Sequence, residues 1–181
     1  MPTSTTYPDF TTGIVSLTNF SVTETDIGSV FAFIGTPPAI TAQVDGYGAA
    51  TAQFSSFEYG ASRPGSSELV TMSYHATTNA SGVLINSIDA SMVVDLNTGK
   101  FANTTNTLTF TEQAFDAAGN LLATLTMDLM HISAAPVYFA QAQSDITISV
   151  TLNAAIGLDA STRPTSAVGG IIGSVLTHYD P

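Results

Sequence analysis

The chain has 181 residues, 44% of them hydrophobic, and sets three Lys and Arg against fourteen Asp and Glu for a net charge of −11. That length can bury a real core, and a mean hydropathy of +0.29 with only 9% charged residues excludes a disordered chain. The absence of cysteine excludes disulfides, thiolate nucleophiles and Cys-based metal sites, and the scarcity of Lys and Arg excludes a phosphate-neutralising nucleic-acid surface.

The opening residues MPTSTTYPDF lack both a basic region and an apolar run, so no secretory signal is predicted. Residues 1–10 read as an extended N-terminal segment able to add to a neighbour's sheet edge, a route to a homo-oligomer. Period-two alternation then dominates. It predicts strands at Ile14–Val22, Val30–Ile34, Ile40–Val44, Ala50–Phe57, Leu69–Ala76, Ser87–Leu96, Leu108–Phe115, Leu121–Ile132 and Ser144–Leu152. Turn residues separate them in GTPP (Gly35–Pro38), DGYG (Asp45–Gly48), ASRPGSS (Ala61–Ser67), NASG (Asn79–Gly82), NTGK (Asn97–Lys100) and DAAGN (Asp116–Asn120). A short helix near Thr165–Leu176 would have to carry several glycines, at about 1 kcal/mol each. No apolar run approaches the ~18–20 residues of a membrane helix, so membrane insertion is not expected.

The expected fold is a single all-β domain spanning residues 1–181. It is read as an antiparallel barrel of about eight strands with a meander in the middle, a β-sandwich being the alternative. A three-residue loop at Asn97–Gly99 pairs the strand ending at Leu96 with the one after Lys100, and a four-residue loop at Asp116–Gly119 pairs Phe115 with Asn120. Ile88, Met92, Val94, Leu108, Phe110, Leu125, Met127 and Leu129 then share an inner face with Glu112 and His131.

Glu112, in LTFTEQAF, falls on the apolar beat. A carboxylate buried there would have a raised pKa and could act as a general acid or base. The plainer reading is a strand end with its head in water. His131 follows the same beat, as a buried base or as a satisfied core residue. This register sets Glu112 and His131 about 26 Å apart, so they form no dyad. Val70, Met72 and Tyr74 share one face, which turns His75 outward. Met92, Phe110, Met127 and Tyr74 are the candidate ligand-lining residues, and Arg63, in YGASRPGSS, is a candidate carboxylate clamp. Three scattered histidines give no metal spacing, DLNTG (Asp95–Gly99) is explained by its turn, and no phosphate loop or serine-hydrolase elbow is present. Neither a metal nor a cofactor is expected.

The hairpin FDAAGNLLATLTMDLMHI resembles hairpins of the allene-oxide-cyclase and dirigent barrels over under twenty residues around a generic turn, and no family follows from it. The resemblance implies ligand capture or cofactor-free cyclisation. The leading expectation is a β-barrel that binds a small apolar molecule, with cofactor-independent cyclisation or isomerisation as its chemistry. The rival is a structural subunit of an extracellular filament, surface layer or coat, supported by the lysine-poor, Ser- and Thr-rich strands. An extracellular or cell-surface setting is expected ahead of a cytoplasmic one.

Overall fold

A computed structural model describes residues 3–6, 9–11, 15–27, 39–44, 50–55, 67–93, 107–128, 130–131, 133–155 and 170–174. Among them every regular element is a strand. They are β1 (Thr3–Thr6), β2 (Phe10–Thr11), β3 (Val15–Ile27), β4 (Ala39–Val44), β5 (Ala50–Ser55) and β6 (Ser67–Thr78), then β7 (Ile85–Val93), β8 (Thr107–Asp116), β9 (Leu121–Asp128), β10 (Ser133–Gln143), β11 (Asp145–Ala155) and β12 (Gly170–Ser174). The all-β expectation holds, with antiparallel pairing throughout.

The larger sheet runs β1-β3-β6-β11-β8-β9, with β2 also on the edge of β3. A smaller sheet runs β10-β7-β12, and β4 pairs with β5. Alternation decides what each strand buries. On β11, Ile146, Ile148, Val150 and Leu152 are buried while Thr147, Ser149 and Thr151 face outward. Register then lines threonines across the outer face, Thr23 beside Thr71, Thr151, Thr111 and Thr126 on successive strands. The inner face meets Ile85, Ile88 and Ala90 of β7 and Phe139 of β10 in one apolar cluster.

Two features of β3 depend on a single residue. Val15 and Leu17 are buried, yet so are Phe20 and Val22, so the phase changes between them. The change is a bulge between Thr18 and Ser21, where Asn19 sits at φ 59°, a left-handed conformation that asparagine tolerates. Its amide donates to the Asp9 carboxylate at 2.9 Å. The bulge delivers Phe20 to the core, where its ring stacks on Tyr74 with centroids 4.9 Å apart.

Several expectations need correction. The predicted meander does not form, because β8 pairs with β11 and β9 while β7 joins the other sheet. The β6–β7 connection is a corner, with Val83 N donating to Ala80 O at 3.3 Å around Gly82 at φ 82°. The β8–β9 hairpin closes on three residues rather than four. Asp116 and Asn120 pair, Gly119 takes φ 84°, and a further irregularity follows Ala114. The register moves by two residues, so Glu112 faces Leu125 instead of Ala123, and the buried face is unchanged. Gly170–Ser174 is a strand, not part of a helix. β10 was not expected, since Pro136 and its mostly exposed neighbours mask an irregular edge strand. The run Val30–Ile34 and the turns at Gly35–Pro38, Asp45–Gly48 and Asn97–Lys100 lie outside the described residues, as do Val94 and Leu129.

The bulge makes a local prediction. Asn19→Val should cost about 1–2 kcal/mol, because a β-branched residue resists the left-handed region, while Asn19→Gly should change stability little. Urea midpoints of the two variants check this, and equal losses would dissociate the bulge from its backbone conformation.

Candidate functional site

β8 places Leu108, Phe110, Glu112 and Ala114 inward in strict alternation, and all four are buried. Glu112 is 0% exposed. The strand-end reading therefore fails: β8 continues to Asp116, and the neighbouring strands cover the carboxyl. Its cross-strand neighbours are Val150 of β11 and Leu125 of β9, and the same face continues to Phe110 and Ala114 along β8. None of these can hydrogen-bond through its side chain. Both carboxyl oxygens are buried without a hydrogen-bond partner among the described residues. Leaving one such group unpaired costs about 1–3 kcal/mol, and more if it is charged. Burial pushes the Glu112 pKa well above the usual carboxylate range, and the negative charge of Asp89 adds to the shift.

Tyr74 shares this interior. It pairs with Ile148, one row along from the Val150–Glu112 pair, and is 1% exposed. Burial raises its phenol pKa, with Glu112 as the second cause. Ala114 and Ala123 face each other in the row between Glu112 and the hairpin, the smallest side chains on that part of the face. Asp89 comes from β7, in the other sheet, where it is half-buried between the buried Ile88 and Ala90. On β7 the Asn86 Oδ1 is also buried with no hydrogen-bond partner.

His131 is not part of this site. β9 ends at Asp128, and the next residues turn tightly, with Asp128 and His131 exchanging backbone hydrogen bonds of 3.2 and 3.1 Å. The Asp128 carboxylate accepts from the amides of Met130 and His131 and lies 3.0 Å from His131 Nδ1. Those bonds hold the carboxyl of Asp128 below its ordinary range, the Met130 amide contributing most. The imidazole is exposed, so the expected inward placement is corrected. The apolar beat had outlived the strand.

Phe110 and Met127 are buried and face each other in the row beside Glu112 and Leu125. The backbone of Met92 pairs with Ile171, while Arg63 and the calcium-like Asp95–Gly99 lie outside the described residues. His75 is half-exposed, 3.8 Å from the Asp145 carboxylate, on the outward face expected for it. Among the described residues no three His, Asp or Glu side chains gather as a metal site.

The chain matches no protein-family model, no curated protein and no solved structure. The chemistry of this interior therefore rests on its own residues. Asp89 was missed because hairpin logic paired β7 with β8. The Phe20–Tyr74 stack was legible in principle, from the shift of apolar phase between Leu17 and Phe20.

A neutral, buried carboxyl makes stability depend on pH with a definite sign. The folded pKa lies above the unfolded one, so the contribution is complete below the ordinary Glu range near pH 4.3 and is lost as pH rises toward the folded pKa. The wild type should lose up to about 1.4 kcal/mol per pH unit in that window relative to Glu112→Gln. Urea unfolding of both proteins from pH 4 to 8 measures the difference. Parallel curves would mean that the carboxyl ionises as freely when folded as when unfolded.

Proposed function

We propose that the protein is a small-molecule-binding β-barrel whose ligand is mostly apolar and lies among the inward side chains of the two sheets, with the Glu112 carboxyl as its polar contact. The observation that carries this reading is the pair of buried Glu112 oxygens without partners. An apolar core of the same shape would be more stable without them, and groups retained at such a cost concentrate at functional sites. Barrel closure draws support from the proximity of β10 to β9 and of β12 to β5, pairs that bring strands of different sheets side by side. Ligand sites of this kind are mostly apolar with a few placed polar groups.

Cofactor-independent cyclisation or isomerisation is the chemistry this carboxyl would support. Its pKa raised by burial, Glu112 could donate a proton to a bound ligand at a pH above the ordinary carboxylate range and recover it afterwards. His131 takes no part in that proposal.

A screen of small apolar molecules by thermal unfolding tests the reading. A ligand at 100 times its Kd adds about 2.7 kcal/mol to stability. Ala114→Leu, which adds bulk beside Glu112, should abolish that gain while the protein remains folded. A screen in which no compound raises the midpoint would overturn the reading.

A second reading, the structural subunit of an extracellular filament or coat, draws on one observation. The N-terminal segment lies along β3 in two pieces, Thr3–Thr6 against Glu24–Ser21 and Phe10–Thr11 against Leu17–Ser16. The same edge could accept the arm of a second copy. Light scattering over a concentration series separates the two readings, since a mass that stays monomeric when concentrated rules out assembly.

A further inference from the structure

The two edges of β3 are covered very differently. β6 pairs along one of them from Val15 to Ile27. On the other, among the described residues, only the N-terminal segment pairs, β2 with Leu17 and Ser16 and β1 with Ser21–Glu24. The two pieces share one register. Thr6 and Phe10 lie as far apart on the segment as their partners Ser21 and Leu17 lie on β3, so the bulge shifts the pairing with β6 alone. They are held unequally. For the near piece, Ser16 Oγ donates to Thr11 Oγ1 at 3.3 Å and the Asn19 amide donates to the Asp9 carboxylate at 2.9 Å. The far piece, Thr3–Thr6, precedes Pro8, which has no N–H for a ladder bond, and its sequence TSTT contains no apolar anchor.

We propose that Thr3–Thr6 is an exchangeable strand, which leaves its own β3 and takes the same place, along Ser21–Glu24, on the β3 of a second copy. This rests on the assembly reading above and names the contact through which copies join, independently of Glu112. What sits on this edge within one copy points to the occupant. The same segment from another copy meets the same backbone partners in the same register and forms the same ladder bonds. Exchange therefore changes which chain supplies the strand and leaves the pairing unchanged. The stretch MPTSTTYPDFTT carries one charged side chain, Asp9, so the contact adds little to the repulsion between copies of net charge −11.

Asp9 and β2 are the fixed end of this exchange. While the Asp9–Asn19 bond holds, Phe10–Thr11 stays on its own β3 and only the residues before it cross over. Each copy gives one strand and receives one, so exchange either closes between two copies or passes head to tail along many. The chain's own strand is the competitor, at an effective concentration of ~mM for a short flexible link, so exchange grows with protein concentration.

The absence of cysteine makes the test direct. One chain carries Thr6→Cys, a second carries Ser21→Cys, and a tag on one distinguishes them by size. The two are mixed, concentrated in high salt to screen their charge, and treated with a short bifunctional thiol reagent. Exchange should yield a covalent heterodimer, at least tenfold more abundant than from Thr11→Cys mixed with Ser16→Cys, the near pair. Adding Asp9→Ala to the Thr11→Cys chain should raise the near-pair product several-fold, because the fixed end is then released. One chain carrying both Thr6→Cys and Ser21→Cys should cross-link within itself when dilute, which shows that the variants fold and keep the register. Multimers seen by light scattering without the heterodimer would overturn strand exchange and leave assembly to another surface. If light scattering also finds only monomers, the assembly reading falls with it.

Discussion

β11 lies between β6 and β8 and pairs with both along its whole length, and this insertion determines what the interior contains. A strand offers one face to each side, so the burial of Ile146, Ile148, Val150 and Leu152 fixes the facing of both neighbours. Tyr74 is inward because it stands beside Ile148. Glu112 is inward because it stands beside Val150. Turning the carboxyl outward would require β8 to slip by one residue, which would expose Leu108 and Phe110 at about 1.5–3 kcal/mol for each large side chain. That loss exceeds the cost of one neutral carboxyl in the core, so the apolar residues of β8 hold Glu112 where it is.

Most of β8 follows the alternation. Its threonines face outward, Leu108, Phe110 and Ala114 face inward, Phe115 shares the outer face beside Thr147, and Asp116 closes the hairpin by accepting from Ala118 and Asn120 at 2.9 and 2.7 Å. Hydrogen bonds from the Asn120 side chain and backbone also keep the Asp116 carboxyl below its ordinary range. The two acids of one strand thus depart in opposite directions, for opposite reasons: one is buried with no donor to its oxygens, the other is ringed by donors.

Much of this was readable from residues alone. Period two located the cores of β6, β8, β9 and β11 and the inward face of each, because alternation reflects burial directly. It could not say which strands pair. The expectation that sequence neighbours pair holds for β8 with β9 and fails for β7 with β8, whose partners come from elsewhere in the chain. Glu112 was found because its anomaly is local. Asp89 was not, because its relation to Glu112 exists only across two sheets. His131 was misplaced for a different reason. Leu125 and Met127 continue a beat that ends with β9, and a tight turn displaces whatever follows. The exchange of hairpin loops shifted the β8–β9 register by two, an error that period two forgives.

The place of β11 in the chain also governs how the molecule can form. Its partners β6 and β8 begin at Ser67 and Thr107, but the strand that joins them is complete only at Ala155. Until then each presents an open edge and an uncovered apolar row, and closing the sheet means bringing together segments far apart in sequence. Such non-local pairing is slow compared with local hairpins and leaves intermediates prone to associate. The hairpin of β8 and β9 can form early from local contacts, whereas the face around Glu112 is complete only once β11 docks. A nascent chain would thus leave the apolar faces of β6 and β8 uncovered until Ala155 has been made, and the arrival of one strand would set the pace of its maturation.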